Sequence, residues 1–263
     1  MMRSLLRGVL AAVLLPACLA QPPEQKPLAA DDPPECVHPP YKAHIFSRSP
    51  LVIYISDFLT PSERAHMLDL AKDNFQRSEV NTGNGTATNQ YRTSSSTTLP
   101  LDSVTRCIEA RAASFQGLHT PRSHVEPLQL VRYHRGEHYH FHTDWFPDPA
   151  HTAPPLGGQR VSSFFGYVDV APGTTGGGTN FPSLDPPPGE EWCSVVDCDA
   201  EYEAGVTFRP VAGNVVYWEN VVGGEGDVRT LHAGMPVTGG RKVGLNIWTR
   251  EGPLGEHIKW ESR

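Results

Sequence analysis

Hydrophobic and polar positions alternate in short runs along this chain, and the runs crowd toward its C-terminal half. From Glu126 onward six segments read as strands: Leu128 to Tyr133, His138 to Asp144, Val161 to Val170, Gly205 to Arg209, Asn214 to Trp218, and Lys242 to Thr249. In each, apolar, β-branched and aromatic residues recur between turn-forming stretches. Leu51 to Ile55 has the same character, and Arg92 to Thr98 is a further candidate strand. Two earlier segments carry a helical period instead. TPSERAHMLDLAKDNF opens with Thr60 as N-cap, Pro61 at the first helical position and Glu63 at N3, the pattern of a capping box. Met67, Leu68 and Ala71 recur there as a packing face. SVTRCIEARAASF predicts a second helix, capped by Asp102 or Ser103. Two helices followed by a late run of strands predict an α+β chain built around a jelly-roll barrel.

The N-terminus changes the picture of where the chain works. MMRSLLRGVLAAVLLPACLA has Arg3 and Arg7, an apolar run from Gly8 to Leu15, and small residues around Ala17 and Ala20. This is the pattern of a secretory signal peptide over residues 1–20. Its apolar run is too short to span a bilayer comfortably, and no later segment is apolar enough, so no stable span is expected after cleavage. An uncleaved signal anchor is the other reading. Residues 21–45 are proline-rich and read as an extended arm, leaving 46–263 as one folded domain. Cys36, Cys107, Cys193 and Cys198 remain beyond the signal and allow three pairings. Cys193 with Cys198 would close a short loop, and Cys36 with Cys107 would tie the arm to a helix. Asn84-Gly85-Thr86 is a sequon in a polar, turn-rich stretch, so Asn84 is a candidate glycan acceptor. The expected location is the secretory pathway, in the endoplasmic reticulum lumen or outside the cell. The C-terminal KWESR is no retrieval signal of the KDEL type.

Of the 263 residues 38% are hydrophobic, enough for a core, and 25 prolines and 24 glycines imply many turns. The formal charge of −7 and the lack of basic runs argue against nucleic acid as a partner. GTTGGG, at Gly173 to Gly178, lacks the Lys-Ser/Thr ending of a phosphate loop and reads as a turn. There is no GxSxG elbow for a serine nucleophile.

The candidate chemistry lies in YHRGEHYHFHTDWF, from Tyr133 to Phe146. Alternate residues of a strand share a face, so His142 and Asp144 can reach one ion together. His232 follows 88 residues after Asp144, and Lys242 lies ten positions further on. Two imidazoles and a carboxylate can hold one face of an octahedral Fe(II) ion and leave the other open. Zinc sites more often use extra histidine or cysteine. A lysine beside the far histidine can anchor a dicarboxylate. The residues alone leave alternatives open. His138, His140 and His142 would share a face of a regular strand, the cluster could be a solvated edge, and His140 could replace His142 as the ligand.

Three longer stretches decide between these readings. EPLQLVRYHRGEHYHFHTDWF, RVSSFFGYVDV followed by GGGTNFP, and RPVAGNVVYWEN followed by LHAGMPVTGGRKVGLNIWTRE occur in that order. From about Leu51 to Arg250 the chain resembles a prolyl 4-hydroxylase catalytic domain of the 2-oxoglutarate/Fe(II) dioxygenase superfamily. The resemblance implies a double-stranded β-helix core and makes His142, Asp144 and His232 the iron ligands. It makes Lys242 the partner of the distal carboxylate of 2-oxoglutarate and Tyr133 a hydrogen-bond donor to the same cosubstrate. It also implies that Glu126, Tyr139, Arg160 and Trp248 contact substrate, with Gln129 near them. O2 and ascorbate enter as cosubstrate and reductant through the resemblance only. The common GGET-F-P segment reads GGGTNFP here, in what is expected to be a loop near the barrel mouth. The stretch from Thr179 to Pro210 is expected to form a lid.

The expected activity is hydroxylation of an aliphatic carbon, foremost a peptidyl proline, with release of succinate and CO2. The partner is then a proline-containing peptide or protein. Oxidation of a small or peptide-derived metabolite is a second reading, and a non-catalytic binding module on the same fold is a third.

Overall fold

The computed structural model describes residues 36–81, 86–87, 90–117, 120–200, 204–255 and 258. The expected signal peptide, most of the proline-rich arm and Asn84 lie outside the described residues.

Both helices form where the capping residues predict. Helix α1 spans Pro61–Ala71, with Thr60 Oγ1 accepting from Glu63 N and the Glu63 carboxylate accepting from Thr60 N. Helix α2 spans Ser103–Phe115 and is capped by Asp102, not Ser103. The capping carboxylate of Glu63 also receives Arg111, a fully buried guanidinium of α2. One side chain therefore closes the end of α1 and locks it to α2. A buried arginine is tolerated only with such a partner.

The larger sheet has eight antiparallel strands. Their spatial order is Lys42–Arg48, Leu51–Ser56, Val215–Glu219, Arg160–Val170, Arg241–Arg250, Gln129–His134, Ser95–Thr98 and Gln76–Arg77. The smaller sheet runs Val206–Phe208, Thr179–Phe181, His232–Gly234, Tyr139–His142, again antiparallel. Lys42–Ile45, which composition places in the arm, are already strand. Only Ser95–Thr98 of the candidate Arg92–Thr98 strand is continuous, with Arg92 joined to Tyr139 by an isolated bridge.

Strand alternation sorts the core into two halves. On the helix side, Phe164, Val168, Leu130, Val215, Leu245 and Ile247 pack with Met67, Ala71, Ile108 and Ala112 of the helices. On the other side, Phe165, Tyr167, Val131, Tyr133, Val216 and Trp218 pack against Phe181, Val206 and Phe208 of the smaller sheet. Successive residues of one strand thus serve opposite cores, as the period of two requires. Two facing sheets with helices behind the larger one make the α+β double-stranded β-helix that the strand pattern predicts. On Arg241–Arg250 the odd positions Val243, Leu245 and Ile247 face the helices, which turns Lys242, Gly244 and Trp248 toward the barrel interior.

Cys36 pairs with Cys107 and Cys193 with Cys198, so the first bridge ties the start of the described chain to α2. Both sulfurs beside His38 are thereby oxidised and cannot act as thiolate ligands.

Two loop expectations are corrected. The TNF of GGGTNFP is a buried strand, Thr179–Phe181, held between two neighbours, because a barrel wall needs its apolar Phe181 inside. The segment after it is no lid. Leu184 and Val196 are buried in the inner core and Trp192 packs edge-on against Phe46. Of the described residues from Thr179 to Pro210, the strand residue Thr179 alone lines either cavity that holds His142 or Asp144.

Candidate active site

His142 ends the Tyr139–His142 strand and sits directly opposite His232, the first residue of His232–Gly234. Asp144 lies two residues past the strand end, so the expected continuous strand to Asp144 stops short while the projection toward one side survives. The ligand atoms of His142, Asp144 and His232 all lie within 4.8 Å of one another. His142 Nε2 is 3.9 Å from Asp144 Oδ1, and His232 Nε2 is 3.8 Å from Asp144 Oδ2. His140 is exposed and its ring packs on Tyr91, which removes it from the ligand set.

The donor set suits a divalent ion. His142 Nδ1 lies 2.8 Å from the His140 carbonyl and His232 Nδ1 lies 2.9 Å from the Thr230 carbonyl. A carbonyl only accepts, so each Nδ1 carries the proton and each Nε2 keeps its lone pair for an ion. Burial pushes the His142 imidazole down to about 3, helped by the neighbouring His232, so it is neutral at physiological pH. Burial alone would raise the Asp144 carboxyl, but the two imidazoles, Arg160 and the Ser163 hydroxyl outweigh it and hold it down at about 2. Two imidazoles with Nε2 turned inward and one carboxylate on one side of a cavity are the donors that a 2-His-1-carboxylate Fe(II) centre requires.

A second layer orients these donors. Ser163 Oγ donates to Asp144 Oδ2 at 2.7 Å, and Asn220 Nδ2 donates to Ser163 Oγ at 2.9 Å. Both are fully buried. Trp145 donates from Nε1 to the Asp227 carbonyl and lies flat over Gly226. A Cβ at position 226 would fall 2.2 Å from the indole, so only glycine lets the ring sit there. Trp218 and Phe181 pack their rings around His232.

Lys242 is fully buried on the same interior face. It pairs across the sheet with Tyr133, whose ring centroid is 4.7 Å from Nζ, and its ammonium donates to the Gly177 carbonyl. Gly177 has φ of +69°, and a Cβ there would press on the Lys242 stem and on Val237. Gly177 therefore makes room for the lysine. Burial pulls the Lys242 amine down to about 7 and pushes the Tyr133 hydroxyl up to about 12, which keeps it a donor. The small cavity at the ligands, about 30 Å³, is lined by Tyr133, Phe165, Thr179 and Asn246 as well as the three donors. Lys242 is not on its wall, so a diacid that reaches the ammonium must move these side chains and replace the Gly177 carbonyl.

Next to this cavity lies an open cleft of about 510 Å³ that shares Tyr139, Asp144 and Trp248 with it. Tyr139 stacks on the His142 ring with centroids 3.6 Å apart. Arg160 lies 3.8 Å over the Trp248 ring, and Gln129 also lines the cleft. Glu126 differs from the expectation of a substrate contact. It is buried behind the wall, where it accepts from both Arg160 and Arg250, and it does not line the cleft. Ser163, Asn220, Trp145 and Gly226 were not picked out in the sequence. A serine, an asparagine or a glycine carries no local signal of such a role, which comes only from long-range contact with Asp144, Ser163 or Trp145.

The fold and donor set define a class of oxygenase, and comparison with known proteins agrees. The model of the 2OG-Fe(II) oxygenase superfamily matches residues 128–250. The chain is 30% identical over 222 residues to prolyl 4-hydroxylase 1 of Arabidopsis thaliana, covering 80% of this chain and 72% of that one. It is 29% identical to prolyl 4-hydroxylase subunit alpha-3 of Homo sapiens, covering 81% of this chain and 36% of that one. Its fold superposes on the viral collagen prolyl hydroxylase of Paramecium Bursaria Chlorella virus-1, in its 2OG complex. The TM-score there is 0.53, with 21% identity over 76% of this chain and 95% of the other. This chain belongs to the 2OG-Fe(II) oxygenase superfamily and, within it, to the prolyl 4-hydroxylases. Members of the superfamily use Fe(II), 2-oxoglutarate and O2.

Proposed function

We propose that this chain hydroxylates prolyl residues of peptides or proteins, with His142, Asp144 and His232 holding Fe(II) and Lys242 and Tyr133 receiving 2-oxoglutarate. The observation that carries the reading is the gathering of three ligand atoms within 4.8 Å at the foot of a cleft wide enough for a peptide. When bound, ferrous ion with 2-oxoglutarate and O2 supplies the oxidation: the cosubstrate leaves as succinate and CO2, and one oxygen atom enters a C–H bond.

The chain's own residues bind, orient and exclude water. Ser163 and Asn220 keep the Asp144 carboxylate from turning. The ammonium of Lys242 seats the distal carboxylate of the diacid and Tyr133 adds a hydroxyl donor. Tyr139 and Trp248 form apolar walls where cleft and ligands meet, against which a pyrrolidine ring packs. No side chain acts as nucleophile, and the protein contributes by positioning the reacting carbon.

The proposal extends to the setting. The basic, apolar and small-residue succession in residues 1–20 supports entry into the secretory pathway, with residues 21–45 as a leader to the domain. The two disulfides favour an oxidising compartment. Asn84 is then a glycan acceptor and ascorbate the reductant. Conversion of 2-oxoglutarate to succinate, dependent on a proline-containing peptide that gains one oxygen by mass spectrometry, tests the activity. His142→Ala or His232→Ala should abolish both iron retention and turnover; normal turnover in either variant would overturn the ligand assignment.

A further inference from the structure

At one wall of the cleft two guanidiniums meet a single carboxylate. Arg160 and Arg250 both lie over the ring of Phe146, at 4.8 and 4.6 Å, and both donate to the same carboxylate, Glu126. Glu126 Oε1 accepts from Arg160 Nε at 2.7 Å and from Arg250 Nε at 2.5 Å, while Oε2 accepts from Arg160 Nη2 at 2.9 Å. Two guanidiniums therefore share one hydrogen-bonded carboxylate. Asp144 is a second buried anion that acts on Arg160 through space, while its oxygens face the two imidazoles and Ser163. Glu79 and Asp148 line the cleft only at its exposed rim.

Part of Arg250 has a structural role. Its Nη1 donates to the His151 and Gly158 carbonyls and clips that loop to the strand. This accounts for hydrogen bonds and not for the charge. Arg160 Nη1 and Arg250 Nη2 form no hydrogen bond among the described residues, and neither is among the buried unpartnered atoms. Both amino groups thus keep contact with solvent, and both residues line the cleft. Burial and the like charge of Arg160 pull the Arg250 guanidinium below its ordinary value even with Glu126 beside it. A half-neutralised guanidinium pair in a partly desolvated wall attracts an anion in planar, two-nitrogen geometry.

We infer that this cleft selects prolyl peptides that carry a carboxylate side chain within two residues of the reacting proline, received by Arg160 and Arg250. The inference rests on the prolyl-hydroxylase reading and names its substrate class. Simple recognition of peptide carbonyls by the same nitrogens would give no preference between glutamate and glutamine, so the two can be separated.

The test uses synthetic decapeptides with one proline, identical except for Glu, Gln or Lys at each of the two positions on either side. Binding to the metal-loaded protein is read by fluorescence anisotropy at low and high salt. Turnover is read by peptide mass and succinate. One Glu position should bind about tenfold tighter than Gln and more tightly still than Lys, with the ratio shrinking as salt screens it. Arg250→Gln should bring the Glu/Gln ratio close to one, and Arg250→Lys, which keeps the charge and serves if the glutamine variant fails to fold, should preserve most of it. Equal binding of Glu and Gln peptides, or binding of none, overturns the inference. Equal turnover of both overturns it and leaves prolyl hydroxylation standing. Tight binding of the Glu peptide with no gain of oxygen upholds the anion site and sinks the prolyl reading.

Discussion

Replacing Lys242 by methionine should make the metal-free protein more stable while it cripples cosubstrate binding. Methionine keeps the length and apolar stem of lysine and drops only the ammonium. Burial lowers the Lys242 amine from 10.5 to about 7. At pH 7.5 a depression of that size corresponds to a burial cost of about 4 kcal/mol. The substitution removes this cost but strips the Gly177 carbonyl of its donor, a loss of about 1 kcal/mol. A net gain of about 2–3 kcal/mol should raise Tm by about 5–10 °C for a domain of this size. The sign has a pH window. The folded-state value lies below the unfolded one, so the cost is absent above about pH 10.5, grows as pH falls toward 7, and levels off below. The stabilisation by Lys242→Met should follow the same course. Losing one partner of a buried charge pair should weaken 2-oxoglutarate binding at least about 30-fold. Thermal unfolding of the chelator-treated proteins across pH, with isothermal titration of 2-oxoglutarate into the metal-loaded ones, measures both. A Tm that is unchanged or lower at pH 7.5 would refute the reasoning, since the ammonium would then be well compensated where it lies.

Three other outcomes follow from the same geometry. With an amine near 7, binding of 2-oxoglutarate at pH 8.5 should draw close to one proton onto Lys242. Binding enthalpies in two buffers of different ionisation enthalpy would then differ in proportion, and a zero difference would contradict the anchor. Ser163→Ala removes the donor to Asp144 Oδ2 and should weaken Fe(II) or Co(II) affinity about 10- to 100-fold with little change in fold, measured by equilibrium dialysis and circular dichroism. Replacing Cys36 and Cys107 by alanine opens a link between residues 71 apart and should lower unfolding free energy by about 2–4 kcal/mol in denaturant titrations, with the ligand cluster unaffected.

Much was legible along the chain because it is local chemistry. The Thr60–Pro61–Glu63 box set the start of α1, and the alternation in Arg160–Val170 and Gln129–His134 marked strands that face two cores. Residue type and spacing put the histidines, Asp144 and Lys242 forward as candidates, but the resemblance was needed to choose His142 over His140, and the four cysteines left three pairings open. What the sequence could not carry was proximity. His142 and His232 are neighbours only because their strands pair in one register, and Asp144 is held by a serine of another strand that an asparagine, just past a third strand, holds in turn. Glu126 moved from candidate contact to buried counterion once two arginines converged on it. GGGTNFP turned out to be barrel wall because closing the smaller sheet buries Phe181. Residue type determines what a group can do, and strand period determines which side it faces. Only closure of the barrel decides which groups share one small volume, because that choice is made by long-range pairing and burial and leaves no mark on neighbouring residues.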